Sequence, residues 1–268
     1  MSYFINYNEC LDTLFKQWKG SYPEEDEKKR FCEDGIMHKI DASINVDELW
    51  ENASRRVMFC LKDCPDGGAW DTRKMNDEIS ALKGQFYQRL AKLLYGLFES
   101  KPEYRISDGA IDAKMKEGIV KKIWNTQPFA FIETKKLAGG KDCPTDKLCE
   151  SLVRDEIFLK KEMDILSPNV IVCCDGSGAM FDFITKKEFF GEADFPRLDY
   201  RYALWNDKKK QEYYHPKYQW HCRLRYYKQR NVVVIDSFHP SYTCENWEFI
   251  ERVISPFAIF LRDCNPNF

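Results

Sequence analysis

The sequence predicts an α/β fold, a three-layer α/β/α sandwich with a four-stranded, mainly parallel central sheet. Three observations predict it. Residues 57–61 (VMFCL), 129–132 (FAFI), 170–174 (VIVCC) and 232–235 (VVVI) are apolar throughout, as strands buried on both faces are. Longer stretches with apolar residues at helical spacing separate these runs, which is how parallel strands are joined. A polar or glycine-rich loop follows each run, at the end of the strand where open α/β sheets form their sites.

In chain order, residues 6–19 carry Cys10, Leu11, Leu14, Phe15 and Trp18 at helical spacing and read as an amphipathic helix. A polar run containing Pro23 reads as a loop over 21–30, and a short helix follows at 46–53. Residues 1–54 are therefore expected to form a helical extension packed on the main domain, residues 55–268. The first strand leads through a Pro/Gly loop into a long helix over 76–100, with Ile79, Leu82, Phe86, Leu90, Leu93, Leu94 and Leu97 on one side. Pro128 precedes the second strand. A helix over 146–166 stops at Ser167-Pro168 and feeds the third strand, after which Asp175-Gly176-Ser177-Gly178 opens a helix over 179–190. The rhythm breaks over 191–230, where Arg197, Lys208, Arg223 and other cations interleave with Tyr200, Trp205, Tyr213 and Trp220. Those are the ingredients of a groove for single-stranded nucleic acid, and equally of an elaborated hairpin with a solvated basic face. The fourth strand and a closing helix over 245–261 complete the domain.

Composition narrows the function classes. The 268 residues are 44% hydrophobic and 15% aromatic, enough for a sizeable core and against disorder. Forty-one basic residues face 43 acidic ones, a net charge of −2, so any DNA contact must come from a local basic patch. The apolar stretches are too short to span a bilayer, and the first residues lack a basic segment followed by an apolar core. A cytoplasmic protein without a membrane partner is expected. The 11 cysteines include no C-x-x-C pair and read as reduced thiols, several on strands (Cys60, Cys173, Cys174). No metal or other cofactor is expected.

The strand ends hold the candidate chemistry. Lys62-Asp63-Cys64-Pro65-Asp66 follows the first run, Glu133-Thr134-Lys135-Lys136 the second, and Asp175-Gly176-Ser177-Gly178 the third. Asp236-Ser237-Phe238-His239-Pro240-Ser241-Tyr242 follows the fourth. This order resembles the uracil-DNA glycosylase superfamily: a strand with an acidic-Pro loop, a strand with a Lys/Gly loop, Leu166-Ser167-Pro168-Asn169-Val170-Ile171-Val172, and a His-Pro-Ser motif after the last strand. The resemblance covers roughly residues 55–262.

The resemblance implies hydrolysis of the N-glycosidic bond of a base flipped out of DNA, through an oxocarbenium-like sugar. By resemblance Asp63, with Asp66 behind it, is the carboxylate that steadies the sugar cation or positions water. His239 is the donor to the leaving base. Lys135 or Lys136 would meet phosphate, and Ser241 and Tyr242 would face the duplex. Two positions depart from the family pattern. Lys62 stands where a glycine is usual, and Glu133 stands where an Asn often reads the base. An ionised carboxylate accepts but cannot donate, so Glu133 points either to a base with an exocyclic amine or imino N–H, or to lost activity. Structural readings stand beside these: Asp63 and Asp66 as turn formers, His239 as a strand-end cap, and Glu133 as a lysine's ion-pair partner. The leading expectation is a DNA glycosylase-like enzyme acting on a damaged or deaminated base. The alternatives are a non-catalytic nucleic-acid-binding module of the same fold and a hydrolase of free nucleosides or nucleotides.

Overall fold

The computed structural model describes residues 5–39, 41–64, 70–74, 79–140, 142–193, 200–201, 203–206, 211–214 and 221–268. Its strands are β1 (Gly35–Ile36), β2 (Val57–Asp63), β3 (Phe129–Lys135), β4 (Val170–Cys173), β5 (Tyr200–Arg201), β6 (Ala203–Asn206), β7 (Gln211–Tyr214), β8 (His221–Cys222), β9 (Leu224–Tyr227) and β10 (Val232–Asp236). The main sheet has six strands in the order β1-β3-β2-β4-β10-β9, and β5 with β8 and β6 with β7 form separate antiparallel pairs. The four apolar runs are the central strands β3, β2, β4 and β10, all parallel. The expected four-stranded sheet is thus the centre of a larger mixed one, with β1 and β9 antiparallel at its edges. The sequence hides both edges for physical reasons. β1 is two residues long, and β9 (Leu-Arg-Tyr-Tyr) carries a cation inside a stretch rich in cations.

Period-two geometry sends alternate side chains to opposite faces. Phe59, Phe131, Val172 and Val233 pack on one face with helices Gly84–Glu99, Ile119–Thr126 and Asn246–Asp263. Met58, Ile132, Ile171 and Val234 pack on the other with helices Tyr7–Ser21, Thr145–Arg154 and Glu156–Leu166. Helices therefore cover both faces of the sheet. Gly96 allows the helix Gly84–Glu99 to approach the C-terminal one closely, since a Cβ there would lie 2.7 Å from Ile254 Cδ1.

Several boundaries move. The long helix begins at Gly84 because Leu82 and Gly84 both take positive φ, turning the chain after Ile79. The helix expected over 146–166 is two, broken at Asp155, whose buried carboxylate accepts from the Tyr22 hydroxyl at 2.9 Å. The helix expected over 179–190 is likewise two, Ala179–Ile184 and Lys187–Phe190. Helices Asp108–Lys116 and Ile119–Thr126 fill a stretch in which the sequence pattern showed no element. Residues 1–54 are more than a helical extension. Their segment 30–37 runs antiparallel along β3, with Met37 N–H donating to Phe129 O (3.0 Å), Cys32 N–H to Lys136 O (2.8 Å) and Ala138 N–H to Arg30 O (2.9 Å). No helix among the described residues is long and apolar enough to cross a membrane.

Candidate functional site

The parallel strands end together, and their carboxyl ends carry the candidate residues. β2 continues past its apolar run to Asp63, which is in register with Lys135 of β3. Lys135 Nζ lies 2.8 Å from Asp63 Oδ2 and donates to Leu137 O at 2.6 Å. The Asp63 side chain is 9% exposed. The loop after β3 closes on this carboxylate, because a Cβ on Gly139 would sit 2.1 Å from Asp63 Oδ2. A side chain at this position would have to displace the Asp63 carboxylate from its present place.

Glu133 lies within β3, not after it, and is buried. Its N–H donates to Asp34 Oδ2 at 2.7 Å, and its Oε2 is buried without a hydrogen-bond partner among the described residues. Burial, and next the Asp34 carboxylate, push the Glu133 carboxyl well above the usual carboxylate range, which favours its protonated form. A neutral carboxylic acid offers one O–H donor and one acceptor.

The last strand delivers His239. Its Nδ1 accepts the Ser241 N–H at 3.3 Å, which leaves the ring proton on Nε2. Burial, and next the Lys62 ammonium, pull its pKa from 6.5 down to about 4, against the opposing pull of Asp175. His239 is therefore a neutral imidazole with a single donor, Nε2–H. Phe86 packs against the ring with centroids 5.7 Å apart.

Its loop is held from outside the motif. Arg89, on the helix Gly84–Glu99 and 2% exposed, donates to Pro240 O (3.1 Å), Tyr242 O (2.7 Å), Cys244 O (2.5 Å) and Asn246 Oδ1 (3.0 Å). Tyr242, 47% exposed, stacks on Phe238 at 4.8 Å, and the Arg252 guanidinium covers Phe238 at 4.1 Å from its centroid. Ser241 is exposed beside it.

The Asp175–Gly178 segment is a strand-to-helix turn. Asp175 Oδ2 accepts from the Ser177 hydroxyl and from the N–H groups of Ala179 (3.0 Å) and Met180 (3.4 Å). Asp175 Oδ1 and Ser237 Oγ, at the ends of neighbouring strands, are buried without partners among the described residues. With Glu133 Oε2, three unmatched oxygens stand at this end of the sheet, a feature that native structures rarely leave unused.

Of the two lysines expected as alternatives for a phosphate contact, Lys135 or Lys136, the structure removes one. Lys136 is completely buried, with Nζ 2.6 and 2.7 Å from the Asp34 oxygens and 2.9 Å from Glu162 Oε1, so it cannot meet phosphate. The Trp18 and Phe15 rings lie 5.1 and 5.2 Å from it. Lys62 and Lys135 remain at the strand ends. Asp66 and, within the basic and aromatic stretch 197–230, residues 197–199, 202, 207–210 and 215–220 (His215 among them) lie outside the described residues. Among the described residues no group of three or more His, Cys, Asp or Glu side chains is placed to hold a metal ion.

One residue was not singled out from the sequence. Arg89 carried a legible signal, since it sits three residues after Phe86 and four before Leu93, a cation on an apolar helix face. No protein-family model matches the sequence, and no curated protein matches it.

Proposed function

We propose that the chain is a DNA glycosylase-like enzyme that hydrolyses the N-glycosidic bond of a damaged or deaminated base. The observation that carries the reading is His239: a neutral imidazole, its Nδ1 occupied by its own loop, with Nε2–H as its one donor at the mouth of the parallel sheet. Such a donor stabilises negative charge developing on a departing base without itself losing a proton. Asp63 and Glu133 complete the proposed set. Asp63 faces the sugar cation, and its ion pair with Lys135 fixes its orientation while offsetting part of its charge. Burial favours the protonated form of Glu133, and in that form it would present the paired donor and acceptor of an amide. A base edge presenting an acceptor beside an N–H, as the uracil imide does, is then readable. DNA is the proposed partner, engaged through Lys62 and a local basic patch.

A non-catalytic nucleic-acid-binding module is the second reading, and the Asp63–Lys135 pair favours it. With 9% of its side chain exposed and a lysine on one oxygen, Asp63 has little room to activate water.

The test is cleavage of labelled oligonucleotides carrying uracil, hypoxanthine, xanthine or an alkylated base, with alkali to reveal abasic sites. The enzyme reading expects cleavage of one lesion, abolished in His239→Ala and Asp63→Asn, kept in Glu133→Gln and lost in Glu133→Leu. Folded protein that cleaves none of them, yet binds the strands in a salt-sensitive manner, selects the binding module.

A further inference from the structure

Two cysteines far apart in sequence meet beside the candidate site. Cys32 lies in the segment 30–37, and Cys64 follows Asp63 at the end of β2. Both are buried and pack with Ala138, and the half-buried Trp70 lies against them. Their thiols hydrogen-bond to each other, and the Trp70 N–H donates to Cys32 Sγ. The main chain fixes this approach. Cys32 N–H donates to Lys136 O (2.8 Å), Gly139 N–H to Cys64 O (3.0 Å) and Glu33 N–H to Trp70 O (2.7 Å). Residues 136–139 therefore run between the two cysteines, bonded to Cys32 at one end and to Cys64 at the other.

We propose that Cys32 and Cys64 are a redox pair: a small peroxide oxidises Cys32, and Cys64 converts the product into a disulfide that locks the loop over Asp63. The surroundings give the two thiols different parts. The thiolate is the attacking species, and Cys32 has the groups that favour it. The bond from Cys64, and after it the Trp70 N–H and the Lys136 ammonium, hold its pKa below the ordinary thiol value against burial and Asp34. Cys64 is pushed up by the same bond and by burial, so it keeps its proton. In the first step Cys32 Sγ attacks a peroxide oxygen, the O–O bond breaks, and hydroxide leaves as water once protonated. Cys32 is then a sulfenic acid. In the second step Cys64 Sγ attacks Cys32 Sγ, the S–O bond breaks, and the oxygen leaves as water with the Cys64 proton. The two thiols lose two electrons and two protons, and the peroxide gains them to become two waters.

Contact alone does not select the pair. Cys60 and Cys173 stand in register on β2 and β4 with their thiols hydrogen-bonded, yet complete burial raises Cys173 well above the ordinary thiol range. The consequence of the Cys32–Cys64 bond lies at the site. Gly139 approaches the Asp63 carboxylate from the loop that the two cysteines flank, and in the reduced chain only hydrogen bonds hold that loop. The lock acts on the site whatever reaction is performed there, so it does not depend on the glycosylase reading.

The experiment treats the reduced full chain with hydrogen peroxide at neutral pH, blocks the remaining thiols with N-ethylmaleimide in urea, and maps linked peptides by mass spectrometry without reduction. A Cys32–Cys64 link should appear first, on the order of tenfold faster in folded than in urea-unfolded chain, because only the fold holds the thiols in contact. Cys60 and Cys173 should stay reduced. The oxidised chain should melt about 5–10 °C above the reduced one, since the link closes a loop of about 30 residues. Dimedone, which traps sulfenic acids, assigns the two parts. Cys64→Ala should accumulate its adduct at Cys32, whereas Cys32→Ala should give none at Cys64. The wild-type map needs neither variant to fold. Absence of a Cys32–Cys64 link in the folded chain, or its formation at the same rate in urea, overturns the proposal. A Cys60–Cys173 link formed as fast, or a dimedone adduct at Cys64 in Cys32→Ala, refutes Cys32 as the favoured attacking thiol. An oxidised chain that melts no higher than the reduced one refutes the lock.

Discussion

The protonation state of His239 sets a measurable pH dependence on stability. Its pKa is about 4 in the folded chain against 6.5 for an unperturbed histidine. Above pH 6.5 the imidazole is neutral in both folded and unfolded chains and contributes nothing to the difference. Between pH 6.5 and about 4 the unfolded chain takes up a proton that the folded one refuses, so stability falls as the pH drops. At 1.36 kcal/mol for each pH unit of difference, the full loss is about 3 kcal/mol, complete below about pH 4. His239→Gln removes the titration while offering an amide oxygen to the Ser241 N–H. Urea unfolding of both proteins at pH 7, 5.5 and 4 isolates the effect. Wild type should lose about 3 kcal/mol more than the variant across that range. Imidazole nitrogen shifts by NMR should show Nε2 protonated and Nδ1 bare at pH 7. A titration near pH 6.5, or a proton on Nδ1, refutes the assignment of a neutral Nε2–H donor and with it the role of His239.

Three further outcomes follow from the packing. Lys136→Met leaves the Asp34 carboxylate buried without its cation and should cost about 3–5 kcal/mol in urea unfolding; a loss below about 1 kcal/mol would show that the charges are not coupled. Arg89→Met leaves the carbonyls of Pro240, Tyr242 and Cys244 without their donor, and should cost about 3 kcal/mol while speeding hydrogen exchange at the Tyr242 amide, which donates to His239 O at 2.8 Å. Gly178→Ala puts a Cβ 1.8 Å from Arg223 Nη2 at a residue with φ +80°, so it should lower stability by about 2 kcal/mol, read as a lower thermal midpoint.

The centre of the fold was legible because its signal is local. Four runs of four or five apolar residues, rich in β-branched and aromatic side chains and too short for covered helices, read as covered strands, and each became one. Edge strands carry no such signal: β1 is paired through main-chain groups that any sequence supplies, and β9 sets Leu224 between Arg223 and Arg225 and Tyr226 beside Arg225. The placement of His239-Pro240-Ser241 just after a parallel strand was legible because the motif is contiguous with that strand's apolar run. The site was misread where identity depends on distant partners. Lys135 and Lys136 are adjacent in sequence and look equally solvated, yet alternation sends one to Asp63 and the other to Asp34 and Glu162, 102 and 26 residues away. Glu133 resembles a surface acid until the Asp34 charge and its own burial are known, and no window along the chain contains that information.

The segment 30–37 also bears on how the chain avoids its own kind. Without it β3 would be an outer strand, showing unpaired main-chain groups along Phe129-Ala130-Phe131-Ile132, the sort of edge that recruits a neighbouring molecule into aggregates. The cover is synthesised about a hundred residues before the strand it protects, so it already waits when β3 emerges. It is also selective: midway along, Asp34 offers a carboxylate in place of a main-chain carbonyl to Glu133 N–H. A foreign strand would have to bring a buried anion to the same step, opposite Lys136, to take its place.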